Sequence, residues 1–158
     1  MPLLDLRQFT TGLAARRNRA ALLLTPDLCE QRACAAQLAA AIGVAHLDLL
    51  DRFQADVGLS DRLTSFSMTD FFAFMADQRA ERLLIVSGIE FLLAEWLCQG
   101  EPKQVKRDFC GRIEMWDDRS TAAFLLVAQH DPVFAGYQPT RYRGSQIVIQ
   151  LSQTLALS

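Results

Sequence analysis

The chain has 158 residues, of which 51% are hydrophobic and 22% charged, a balance that excludes disorder and suits one globular domain over 1–158. A formal net charge of −2 excludes a global attraction for nucleic acid or anionic membrane, leaving only local basic patches open. No apolar run reaches the roughly 18 residues of a membrane span, and Asp5 and Arg7 interrupt the apolar start, so no secretory leader or membrane role is expected and a cytoplasmic location follows.

The first predicted element is a helix over 3–17, with Leu3, Leu6, Phe9 and Leu13 at helical spacing and Arg16, Arg17 and Arg19 at its end. Ala20-Ala-Leu-Leu-Leu24 reads as a buried strand, and Thr25-Pro-Asp27 breaks it because proline cannot donate to a ladder. An alanine-rich helix follows over 29–42 and Gly43 can end it. A second strand is expected over 46–50, then a loop with some helix over 51–65.

Ser67-Met-Thr-Asp70 offers helix-capping chemistry for a helix running to 79. Leu83-Leu-Ile-Val86 is a third strand and 89–98 a helix with Ile89, Leu92, Leu93 and Trp96 on one face. Gly100-Glu-Pro102 reads as a break, and 105–116 as the next helix. Strands over 121–128 and 145–151 complete the chain. Apolar strands alternating with helices predict an α/β fold, a three-layer parallel sheet with helices on both faces.

The first strand, turn and long helix form the frame of a phosphate loop. That motif, G-x-x-x-x-G-K-[S/T], uses glycines to free backbone N–H groups, a lysine for charge and a hydroxyl for Mg²⁺. Laid on this chain it places Thr25 at the first glycine, Glu30 at the second, Gln31 at the lysine and Arg32 at the hydroxyl residue. Glu30 would set a carboxylate against polyphosphate, and two like charges 4 Å apart cost roughly 4 kcal/mol at an effective dielectric of 20. Gln31 supplies no positive charge, and Arg32 cannot coordinate Mg²⁺. The same residues also suit a strand-turn-helix of some other α/β fold.

A second landmark is Leu83-Leu-Ile-Val-Ser-Gly-Ile-Glu90, where Ser87 closes four apolar residues and Glu90 follows at the start of a helix. In an NTPase an aspartate at the Ser87 position anchors Mg²⁺, and serine is a far weaker anchor. The third is the strand Ala123-Phe-Leu-Leu-Val-Ala-Gln-His-Asp131, which ends in the polar pair Gln129 and His130.

The order of these pieces over roughly residues 18–151 resembles the AAA-like branch of P-loop NTPases. The segment Ile85-Val-Ser-Gly-Ile-Glu-Phe-Leu-Leu93 and the small size are similar to the small P-loop proteins of BREX phage-defence systems, the BrxF type. The resemblance implies a P-loop NTPase-like fold. It also implies that Ser87 and Glu90 occupy a degenerate Walker B site, and that Gln129 or His130 stands at a sensor position. With no intact phosphate loop, the expected function is that of a non-catalytic pseudo-NTPase. It would need no nucleotide, cofactor or metal, and would act as an interaction subunit of a larger prokaryotic complex. The alternatives are an ATPase with an atypical site using Arg32 and Glu90, and a DNA-contacting accessory protein.

The DNA-contacting reading rests on Lys103, Lys106 and Arg107, and on Arg141 and Arg143 interleaved with Tyr137 and Tyr142. In AAA-like proteins an arginine near this last loop reaches a neighbouring subunit, so Arg141 and Arg143 are also interface candidates. Asp117-Asp118 reads as a helix-ending polar loop. Cys29, at a helix start beside Glu30, lacks a base, and none of Cys29, Cys34, Cys98 and Cys110 matches a zinc spacing. Phe66 and Phe72 are candidate exposed anchors for a partner, because Phe71, Phe74 and Met75 share the face expected to pack on the sheet.

Overall fold

The computed structural model describes residues 3–26, 30–78 and 80–154, apart from the Glu30 side chain. Five strands form one parallel sheet: β1 (Ala20–Thr25), β2 (Ala45–Asp48), β3 (Leu83–Ser87), β4 (Ala123–Gln129) and β5 (Val148–Gln150). Their order is β2-β3-β4-β1-β5. The register sets Leu22 beside both Leu126 and Val148, and Ile85 beside both Leu125 and His46.

The near-continuous apolar strands are explained by burial on both sides. Side chains alternate between faces, so Leu22, Leu24, Leu84, Val86, Phe124 and Leu126 enter one core and Ala21, Leu23, Ile85, Leu125 and Val127 the other. The second core is covered by α1 (Leu6–Gly12) and α2 (Glu30–Ile42). The first is covered by α3 (Leu49–Ala55), α4 (Val57–Asp61), α5 (Met68–Ala76), α6 (Glu90–Leu97), α7 (Pro102–Glu114) and α8 (Pro132–Ala135). This is the expected three-layer α/β architecture, a parallel sheet with helices on both faces. Among the described residues no helix is long and apolar enough to cross a membrane.

Helix starts follow the capping chemistry. Ser67 and Asp70 form a reciprocal capping box on α5. Asp48 ends β2 by capping α3, accepting from the Asp51 N–H, so Leu49 and Leu50 belong to helix rather than strand. The predicted break at 100–102 does separate α6 from α7, but α7 starts at Pro102 rather than at 105. Glu101 accepts from the N–H groups of Lys103 and Gln104, and Pro102 sits at the first position, where no donor is needed. The same device, Asp131 before Pro132, builds α8, which the sequence reading missed. Helix α1 is shorter than expected, beginning only after its cap Asp5.

Phe66 and Phe72 are not exposed anchors: their relative exposures are 3% and 8%. Phe72 leaves the sheet-facing side of α5, but α7 and Trp116 close over it, with ring centroids 5.8 Å from Phe109 and 5.9 Å from Trp116. Phe66 packs edge-on against Phe53 at 5.1 Å, and its carbonyl accepts from Trp96 Nε1 at 2.8 Å. Aromatic pairs of this kind add about 0.5–1.5 kcal/mol each beyond area burial.

Candidate functional site

In a parallel α/β sheet the ligand crevice lies at the carboxyl ends of the strands, where the loops into the next helices converge. Here β4 lies between β1 and β3, so their carboxyl ends bring Thr25, Ser87 and Gln129 to one edge. The first turns of α2 and α6 add Gln31, Arg32 and Glu90. Residues 27–29 of the phosphate-loop alignment, Cys29 included, lie outside the described residues.

Gln31 is buried at 4% exposure and bound into the site. With its amide nitrogen toward Glu90 it donates to Oε1 at 2.5 Å and Oε2 at 3.2 Å, while its oxygen accepts from the Gln129 N–H at 2.9 Å. The Gln129 N–H also donates to Glu90 Oε2 at 3.1 Å. The lysine-position side chain, the helix-start carboxylate and the end of β4 therefore form one closed hydrogen-bonded set. Burial raises the Glu90 carboxyl above its ordinary pKa, against the lowering pull of the Gln129 and Gln31 hydrogen bonds.

Arg32 turns away from this set. Its Nε meets Asp48 Oδ2 at 2.5 Å and its Nη2 meets Asp51 Oδ1 at 2.8 Å. Burial alone would raise the Asp48 carboxyl, but Arg32 and the Asp51 N–H hold it below the usual range. Ser87, at the metal-anchor position, is buried and hydrogen-bonded to His46 Nε2 at 2.8 Å. Burial lowers the His46 pKa, which favours the neutral imidazole. Gly88 has φ +80°, and a Cβ there would stand 3.0 Å from Asp48 Oδ1 and 3.1 Å from the Leu50 nitrogen. Glycine is what lets β3 and α3 approach this closely.

Thr25 is buried at the end of β1, its hydroxyl donating to the Ala128 carbonyl at 3.3 Å and its carbonyl accepting from the His130 N–H at 2.7 Å. Gln129, the last residue of β4, and His130 just beyond it are exposed. A cleft of about 360 Å³ remains, lined by Gln31, Arg32, Asp48, Ser87 and Glu90 with Leu50 and Phe91. Among the described residues no group of three or more His, Cys, Asp or Glu side chains could hold a metal ion.

The basic clusters lie elsewhere. Lys106 pairs with Asp131 at 2.5 Å. Arg141 lies 3.8 Å from Asp117 and stacks on the Tyr142 ring, and the Tyr142 hydroxyl donates to Asp117. The sequence reading gave no role to Glu114, which organises this loop from a fully buried position. It accepts from the Tyr137 hydroxyl and from the backbone N–H groups of Thr140, Arg141 and Tyr142. Burial by itself would raise the Glu114 carboxyl, but these donors together hold it below the ordinary glutamate range.

No known protein family matches the chain, and no curated protein matches it. Among solved structures it is similar to PCH-2 of C. elegans, with 11% identity, a TM-score of 0.47 and 94% of this chain covered. The match spans 41% of the length of that protein, and likeness at this level carries no information on activity or partners.

Proposed function

We propose that this chain is a pseudo-NTPase: a P-loop NTPase-like domain that neither binds nor hydrolyses nucleotide and serves as an interaction subunit of a larger complex. The observation that supports this most is the Gln31–Glu90–Gln129 set. A working site needs a cation on the β- and γ-phosphates and a carboxylate free to activate water. Here the residue at the cation position is a neutral amide, and it holds the carboxylate itself. The atypical-ATPase reading needs Arg32 to turn toward phosphate, which would break its contacts with both Asp48 and Asp51. Membership of a prokaryotic phage-defence assembly rests on the sequence resemblance of residues 85–93 and on the small size.

Titration calorimetry of the purified chain with ATP and GTP, each with and without Mg²⁺, tests the reading. The expected result is no binding heat. Mg²⁺-dependent binding in the micromolar range would overturn it.

A further inference from the structure

Parallel strands all start at the same edge of their sheet, so residues leading into neighbouring strands are neighbours in space. Arg19 leads into β1, and its carbonyl accepts from the Phe124 N–H at 3.0 Å. Arg82 leads into β3, its carbonyl accepting from the Ala123 N–H at 2.9 Å. Arg119 stands in the turn before β4, the strand between them. Three sequence-distant arginines thus gather at the edge opposite the candidate nucleotide site.

Arg19 is 4% exposed, and all of its hydrogen-bond partners are neutral carbonyls: Ala14 at 3.4 Å, Asp118 at 2.7 Å and Thr121 at 2.5 Å. Among the described residues no carboxylate forms an ion pair with Arg19, Arg82 or Arg119. Burial lowers the Arg19 pKa, the nearby charges of Arg119 and Arg82 lower it further, and Asp118 opposes them. The three arginines line a cleft of about 410 Å³ in which, among the described residues, Glu81 is the one acidic lining residue.

This cleft shares Ala14, Glu81 and Arg82 with a second one of about 530 Å³, whose other walls include Ala15, Ile42, Val44 and Leu83. Ile42 and Val44 are half-buried, so their side chains present apolar surface to the cleft. The two clefts make one groove with a cationic end and an apolar end.

We infer that this groove docks an acidic peptide segment of a partner protein, Arg82 and Arg119 taking its carboxylates and Ile42, Val44 and Leu83 seating an adjoining apolar side chain. The inference deepens, and rests on, the reading of the chain as an interaction module. Exposed guanidinium groups match carboxylates in a two-pronged geometry that lysine cannot reproduce. A sugar-phosphate backbone would satisfy the arginines but would leave the apolar end without a partner, which favours peptide over nucleic acid.

The test is a phage-displayed random heptapeptide library panned on the full chain, followed by binding of the selected synthetic peptide to wild type and to an Arg82→Glu/Arg119→Glu variant. The expected selection is Asp or Glu next to Leu, Ile, Val or Phe. Both variant positions are exposed, so melting should be unchanged. Affinity should fall at least about ten-fold in the variant and weaken with added salt. An absent acidic consensus, binding that survives the double substitution, or arginine-dependent preference for a random-sequence oligonucleotide would each overturn the inference. Nucleotide titration of the same samples separates the two readings. Peptide docking alongside ATP binding sinks the pseudo-NTPase alone, whereas neither kind of binding sinks the groove alone.

Discussion

Replacing Glu90 tests the closed set at the sheet edge directly. Its carboxylate accepts from the Gln31 amide and from the Gln129 N–H. Glu90→Ala strands the buried Gln31 amide, while the Gln129 N–H keeps the Gln31 oxygen as its acceptor. A buried donor left without an acceptor costs about 1–3 kcal/mol. In a domain of this size each kcal/mol moves the melting temperature by about 2–4 °C, so a loss of roughly 2–12 °C is expected. Glu90→Gln behaves differently. A new amide that turns its oxygen toward Gln31 still accepts from the Gln31 amide, and the Gln129 N–H keeps the Gln31 oxygen. The change should cost less than about 1 kcal/mol, in the range of an exchanged neutral hydrogen bond.

The two proteins should also differ in pH dependence. Burial sets the folded pKa of Glu90 above its unfolded value, so the folded state holds the proton more tightly. The cost of the charged form is absent below the unfolded pKa and complete above the folded one. Wild type should therefore lose stability relative to Glu90→Gln as pH rises through that window. Urea unfolding at a series of pH values measures both effects. Equal losses for the alanine and glutamine variants, or a difference independent of pH, would refute the reasoning.

Phe72→Ala should lower stability by about 3–5 kcal/mol, since the ring is buried among Phe71, Phe109 and Trp116; unchanged melting by differential scanning calorimetry would return Phe72 to the surface. Glu114 has the opposite pH sign to Glu90: its folded pKa is depressed, so its contribution is present above the unfolded pKa and lost as pH falls through the folded one. Glu114→Gln should cost about 1–3 kcal/mol at neutral pH and flatten the acid limb of an unfolding profile, checked by circular dichroism in acid.

Strand existence was legible because strands buried on both faces must be apolar throughout, as Ala20–Thr25 and Leu83–Ser87 are. Helix starts were less legible where proline was read only as a breaker. Pro102 and Pro132 both occupy first helical positions behind an acidic cap, a signal present in the sequence. The burial of Phe72 was not legible, because it depends on α7 and Trp116, some forty residues on, folding back over α5. At the site, the motif alignment gathered Gln31, Ser87, Glu90 and Gln129 at one edge. It could not show that Gln31 bonds Glu90, that Arg32 turns to Asp48 and Asp51, or that His46 meets Ser87. Those pairings depend on loop geometry and rotamers that local spacing does not encode.

The position of β1 has a consequence for how the chain is made. Its ladder partners are β4 and β5, with Leu22 beside Leu126 and Val148, so both edges of the strand wait for residues made about a hundred positions later. At ribosomal rates of about 5–20 residues per second, that is an interval of roughly 5–20 s. Throughout it, an uncharged Ala-Ala-Leu-Leu-Leu-Thr segment has no native partner and is a template for pairing with other chains. High contact order of this kind also slows folding after release. A nascent chain stopped before residue 123 holds an interior strand of its future sheet with neither neighbour, so yield in the cell should depend on chaperones that shield such segments during synthesis.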